Sequence, residues 1–265
     1  MKNAAALLEE YSMKRIVSFF LCVLMTAALL AGCGDRKHRT TWIIAVDGDF
    51  SPFVCADANG KAVGLDVELL DAIARDQNFR YELRPSDWDT AMSVFTSHQA
   101  QVLMGSIASS QERIDGGWFF SHSFYNGVTQ SMAMEPSSDT NTLEDLAGKA
   151  VAVVSGTLGA AYAESVKDKY GFSIATFSDS HSMYAAVLEG RAAACFEDTP
   201  ALRDSIAGGV ALELVPGSEG AASDYCVAIC DEKDRPFLEL FNQGLANIRA
   251  NGIYDAILAK YADTL

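Results

Sequence analysis

From Thr41 onward the chain writes one order of elements twice, and that repetition narrows its fold more than any other feature. The first copy opens with Trp42 to Val46, a continuous apolar run suited to a buried strand. Asp66 to Asp76 then sets Val67, Leu70, Ile73 and Ala74 on one helical face. Arg80 to Arg84 alternates as a short strand, Asp87 can cap a helix from Trp88 to about Ser97, and Val102 to Ser106 supplies a third strand. The second copy predicts a strand at Ala150 to Val154, a helix at Gly159 to Tyr170 and a strand at Ile174 to Phe177. A helix at His181 to Glu189, closed by Gly190, and a strand at Ala193 to Glu197 complete it. Strands alternating with helices predict parallel sheets joined by right-handed crossovers. Two copies about 100 residues apart, a domain's length, predict an α/β protein of two similar lobes.

The remaining segments complete that plan. Ser121 to Glu135 reads as a connection between the copies. After the second copy, Tyr225 to Ile229 predicts another apolar strand. Helical patterns follow at Pro236 to Asn251 and Ile253 to Tyr261, with Gly252 between them. These last elements are expected to return to the first lobe. The expected organisation is a signal peptide over 1–32 and a lipidated tether over 33–40. One lobe is built from 41–129 with 223–265, and a second from 130–222.

The expected signal rests on Lys14 and Arg15 followed by an apolar stretch from Ile16 to Ala31. At about 1.5 Å per residue that stretch spans roughly 24 Å, short for a membrane span and suited to a signal-peptide core. It ends in Leu30-Ala31-Gly32-Cys33, which resembles a bacterial lipobox, where cleavage precedes the Cys and its thiol is acylated. Met13 begins a well-formed signal by itself, so both Met1 and Met13 stand as starts. The expected location is extracytoplasmic, with a soluble body anchored to the cell membrane by lipid at its own N-terminus.

Charge and cysteines exclude several functions. The chain carries 20 Lys+Arg against 35 Asp+Glu, a formal charge of -15, so no basic surface is on offer for nucleic acid. Hydrophobic residues at 49% with charged residues at 21% suit a folded body rather than long disorder. Beyond Cys22 and Cys33, the thiols are Cys55, Cys195, Cys226 and Cys230, read as isolated thiols; none stands in a C-x-x-C pair. The histidines His38, His98, His122 and His181 lack metal-ligand spacing, and no phosphate-binding or dinucleotide fingerprint is present. No cofactor and no metal are expected.

Ligands of open α/β sheets bind beyond the carboxyl ends of the strands. In the first copy those positions hold Asp47-Gly-Asp-Phe-Ser-Pro-Phe53, Ser86-Asp87-Trp88 and Gly105 to Arg113. In the second they hold Ser155-Gly156-Thr157 and Glu197-Asp198. Together they offer one cation, several carboxylates, hydroxyls and aromatic faces, the inventory needed to hold a zwitterion.

Short motifs recur in order along the chain: Asp47-x-x-Phe50-x-Pro52-Phe53, Gly64-x-Asp66, Ser110-x-x-Arg113, Phe120-Ser121, Leu146-x-Gly148-Lys149, Gly156-Thr157 and Gly190-Arg191-x-x-Ala194-x-x-x-Asp198. Their order and spacing, from about Trp42 to Tyr261, resemble the solute-binding proteins of polar amino-acid ABC transporters, family 3. The resemblance implies a two-lobed, hinged, periplasmic-binding-protein-like fold of type II, each lobe a mainly parallel sheet flanked by helices. It implies a monomer that closes on one polar L-amino acid and presents it to an ABC permease. It also implies roles. Arg113 binds the ligand carboxylate through a bidentate fork, and Asp198 binds its ammonium. Thr157 adds donors to the carboxylate, Ser106 contacts either group, and Phe50 and Trp88 form walls around the side chain. Asp47 sits where it can reach that side chain, favouring a basic or amide group. Ala108 departs from the pattern, since relatives usually carry Ser or Thr there.

Each residue also has a plainer reading. Arg113 could pair with Glu112 or Asp115 at the surface, and Asp198 could cap the helix beginning at Thr199. Thr157 could only cap its helix, Phe50 and Trp88 could be core, Ser106 a turn, and Asp47 a solvated turn. At the level of the whole chain, capture without chemistry is the leading expectation. The alternatives are an enzyme resembling the cyclohexadienyl dehydratases, with Glu197 as its candidate acid, and a sensor subunit that hands its bound state to a receptor.

Overall fold

The computed structural model describes residues 41–262 and 264–265; of Ser106 only the backbone is described. The expected signal, tether and lipidated Cys33 lie outside the described residues.

The chain begins with β1 (Thr41–Asp47), the small three-stranded sheet of β2 (Asp49–Phe50), β3 (Val54–Ala56) and β4 (Ala62–Val63), then α1 (Leu65–Gln77). β5 (Arg80–Ser86), α2 (Trp88–Thr96), β6 (Val102–Ala108) and the five-residue α3 (Gln111–Asp115) follow. β5 and β6 flank β1 in parallel, paired from Thr41–Arg80 to Asp47–Ser86 on one side and through Ile44–Val102 on the other. This is the first βαβαβ copy, with its three strand ends carrying the loops singled out above.

β7 (Phe119–Phe120) and β8 (Tyr125–Val128) lead to β9 (Gln130–Met134), which opens the second sheet. β10 (Ala150–Val154), α4 (Leu158–Tyr170), β11 (Ser173–Phe177), α5 (Ser180–Leu188) and β12 (Ala194–Asp198) repeat the first copy, with β10 parallel to both β11 and β12. α6 (Thr199–Ala207) and β13 (Glu213–Leu214) follow, and β14 (Ser223–Ile229) then joins the first sheet. α7 (Arg235–Ala250) and α8 (Ile253–Leu258) end the chain, Phe237, Phe241 and Ile257 burying into the core that holds Ile44, Leu70 and Ile73. The second lobe has its own core around Met132, Val151, Val153, Ala163 and Phe196.

The first sheet runs β5-β1-β6-β14-β7, with β8 against β14, and the second runs β11-β10-β12-β9-β13. Both are mixed, which departs from the parallel sheets that the alternating pattern predicts. β14 lies antiparallel to β6, and β9 lies antiparallel to β12. The reason is their origin. Each arrives from the other lobe rather than through a helix crossover, so no right-handed βαβ turn fixes its direction. The predicted connection at Ser121 to Glu135 is thus largely strand, with Thr129 alone between β8 and β9. Cys55, Cys195, Cys226 and Cys230 are free thiols.

Candidate ligand-binding cleft

The strand ends of both sheets converge on one enclosed cleft. Its lining includes Asp47, Phe50, Trp88 and Arg113 from the first lobe, and Thr157, Ser180, Glu197 and Asp198 from the second, around a space of about 400 Å³. A larger concavity of about 1580 Å³, walled by Glu135, Lys149 and Arg191, opens widely to solvent at the amino end of β10. It lies away from the strand ends where such folds bind ligands.

Arg113 follows Ser110, whose hydroxyl caps α3 by accepting from the Arg113 N–H at 3.2 Å. Its guanidinium turns inward. Nη1 donates to the Ala108 carbonyl at 2.7 Å and Nη2 reaches the other lobe to donate to the Gly156 carbonyl at 3.0 Å. It also lies over the Trp118 ring, 5.5 Å from its centroid. These contacts fix the fork at the cleft wall instead of pairing it with Glu112 or Asp115. Partial burial holds its pKa below the ordinary arginine value.

Asp198 ends β12 and precedes α6, yet its carboxylate makes no capping bond to that helix. It turns instead toward the strands that cross between lobes. Gln130 of β9 donates to Oδ1 at 3.0 Å, and the Tyr225 hydroxyl of β14 donates to Oδ2. Glu197, one residue earlier, aims the other way, as successive strand residues do. Its Oε2 accepts from the Ser180 hydroxyl at 2.7 Å and its Oε1 from the Asp198 N–H at 3.0 Å. Both acids are 2–3% exposed. Burial raises both carboxyl pKa values, and the Asp198 charge pushes Glu197 further up.

Asp47 closes β1 and accepts from the Asp49 N–H at 3.1 Å. Burial, with Asp49, Asp87 and Asp179 nearby, pushes its pKa up to about 6. Those acids surround the adjoining mouth of the cleft, where Asp47 and Ser180 also lie. Phe50 stacks on Phe53 with centroids 5.7 Å apart, so Phe53 packs behind the wall while Phe50 faces the cleft. Trp88 is both wall and core, since it belongs to a buried cluster with Ala45, Phe95, Val154 and Met183.

Thr157 is placed in the cleft, but its hydroxyl is engaged locally. It donates to the Val154 carbonyl at 2.8 Å and caps α4 by accepting from the Ala160 N–H at 3.2 Å. The Ser106 side chain lies outside the described residues. The cleft thus gathers Asp47, Phe50, Trp88, Arg113, Thr157 and Asp198. Sequence reasoning passed over Ser180, although the repeat marked it. Ser86-Asp87-Trp88 after β5 and Ser178-Asp179-Ser180 after β11 are counterparts, and Asp87 and Asp179 cap α2 and α5 alike. Gln130 and Tyr225 were also missed, because their strands carry no helix-alternating signal.

A two-lobed α/β body with an enclosed, charged cleft between mixed sheets defines the class of periplasmic binding proteins. Over residues 42–264 the chain matches the bacterial extracellular solute-binding proteins, family 3, and it belongs to that family. It is 25% identical over 236 residues to the lysine/arginine/ornithine-binding periplasmic protein of Escherichia coli (strain K12), covering 83% of this chain and 86% of that one. It is 34% identical to the second substrate-binding domain of a putative amino acid ABC transporter from Streptococcus pneumoniae Canada MDR_19A, with a TM-score of 0.57 over 83% of this chain and 99% of that one. An ancestral arginine-binding protein bound to arginine superposes with a TM-score of 0.75 at 25% identity, over 84% of this chain and 98% of that one. These named relatives are binding proteins rather than enzymes, and the family is extracytoplasmic. No helix among the described residues is long and apolar enough to cross a membrane.

Proposed function

We propose that this protein is a lipid-anchored, extracytoplasmic, monomeric binding protein that captures a polar L-amino acid between its lobes and delivers it to an ABC permease. The observation that carries the reading is that Arg113 of one lobe and Asp198 of the other line the same cleft. Arg113 takes the ligand carboxylate and Asp198 the ammonium; Ser106 contacts either group, and Thr157, whose hydroxyl is engaged at the start of α4, shapes the cleft wall. Phe50 and Trp88 enclose the side chain, and Asp47 reads its far end. Only the closed arrangement makes both sets of contacts, so a zwitterion shifts the population toward it. The ligand class favoured is basic, as for the lysine/arginine/ornithine-binding relative. Asp47, Glu197 and Asp198 face one guanidinium in the cleft, and a cationic side chain placed among them would favour their ionised forms.

Thermal-shift screening of the twenty amino acids plus ornithine and cystine tests the proposal. A ligand at 100 times its Kd adds about 2.7 kcal/mol of stability, and the shift should largely vanish in Arg113→Ala. A flat screen on well-folded, ligand-free protein rejects the reading. The burial that raises the Glu197 pKa supports a dehydratase as the second reading. Turnover of prephenate or arogenate would decide for it, and recovery of unchanged ligand against it.

A further inference from the structure

We propose that Glu197 is a second specificity carboxylate, closing with Asp47 on a cationic ligand side chain from the opposite lobe. This rests on the reading of the cleft as an amino-acid site and deepens it.

The geometry separates the acids by task. Asp198 is turned toward Tyr225 and Gln130, on the strands that link the lobes. Glu197 is turned toward Ser180 at the start of α5, on the side where Asp47 and the acidic mouth lie. With Arg113 and Asp198 engaged by the ligand's two backbone charges, the cleft remaining to its side chain is bounded by Phe50, Trp88, Asp47, Ser180 and Glu197. Two carboxylates from opposite lobes therefore bracket the far end of that space.

The chemistry suits a guanidinium or ammonium. Glu197 accepts one hydroxyl bond on Oε2 and one N–H bond on Oε1, and each carboxylate oxygen can accept a second donor. The Ser180 bond fixes the carboxylate's direction, which limits the ordering required on binding. Burial excludes water that would otherwise screen the pair. Because one acid belongs to each lobe, a cationic side chain adds a second bridge between lobes, whereas a neutral side chain of equal shape adds none.

Arginine against citrulline is the informative comparison, since the two share shape and differ in charge at the end of the side chain. Isothermal titration of the full folded protein should show wild type preferring arginine. Glu197→Gln keeps volume and hydrogen-bonding capacity, and should narrow that preference by about tenfold or more while citrulline affinity changes little. Glu197→Asp, which keeps the charge, should restore part of it. Should Glu197→Gln fail to fold, Asp47→Asn answers the same question: a preference of at least about tenfold should persist through the remaining carboxylate. An unchanged preference in Glu197→Gln, or complete loss of preference in Asp47→Asn, overturns the role given to Glu197 and leaves the amino-acid site standing. Equal loss of both ligands in Glu197→Gln also overturns it, because that marks a scaffold role. Failure of every amino acid to bind wild type overturns both proposals together.

Discussion

Single residues in this cleft hold charge against the preference of a buried site. Asp47 shows the cost most directly. Its raised pKa means that the folded chain keeps a proton there between about pH 4 and about pH 6 while the unfolded chain has released it. Stability contributed by this group is therefore complete below about pH 4 and lost as pH rises through about 6. Discounted for its partial exposure, the loss is about 1–2 kcal/mol. In urea titrations without ligand, Asp47→Asn should be more stable than wild type at pH 7.5 by about that amount, with the gap closing near pH 4. The same substitution should weaken binding of a basic amino acid. A gap that is constant with pH would count against a titrating Asp47. Tyr225 has the converse role, since its hydroxyl supports the ionised form of Asp198. Tyr225→Phe should raise the pH below which ligand binding fails, measured as Kd between pH 4 and 8.

At the scale of elements, α4 meets β12 more closely than a side chain permits. A Cβ on Gly159 would stand 2.5 Å from the Phe196 carbonyl oxygen, a backbone atom that cannot swing aside. Gly159→Ala should therefore destabilise despite the better helix propensity of Ala, by about 1–3 kcal/mol. That corresponds to a melting-temperature fall of roughly 2–10 °C for a body of this size. Because Thr157 begins this helix and Glu197 follows Phe196, ligand affinity should fall with it; unchanged melting and affinity would refute the contact. The repeated helices and parallel strands were legible in the sequence because apolar spacing alone sets them, from Trp42 at the first strand to Ala194 at the last. β9 was not, because Gln130 and Ser131 are buried polar residues whose partners, Asp198 and Thr199, are nearly 70 positions away. The same limit explains the cleft. Strand-end residues such as Asp47, Arg113 and Asp198 follow from a rule about α/β sheets. The opposite directions of the Glu197 and Asp198 carboxylates depend on Ser180, Gln130 and Tyr225, which only folding brings near.

The whole molecule joins a strongly acidic surface to a cleft whose mouth is acidic as well. Such a field draws cations inward and is screened by salt over about 10 Å at 0.1 M. In stopped-flow fluorescence, the association rate of arginine should fall several-fold between 10 and 200 mM NaCl, while that of a bound neutral amino acid stays nearly flat. Equal salt response for both would argue against steering. The lobes also touch through the cleft itself, where Arg113 grips the Gly156 carbonyl across the divide. If Arg113 receives a ligand carboxylate as proposed, that carboxylate takes the place of the carbonyl on the same guanidinium. On that reading the Gly156 carbonyl is a neutral stand-in for the cargo, held at the site by the protein's own backbone.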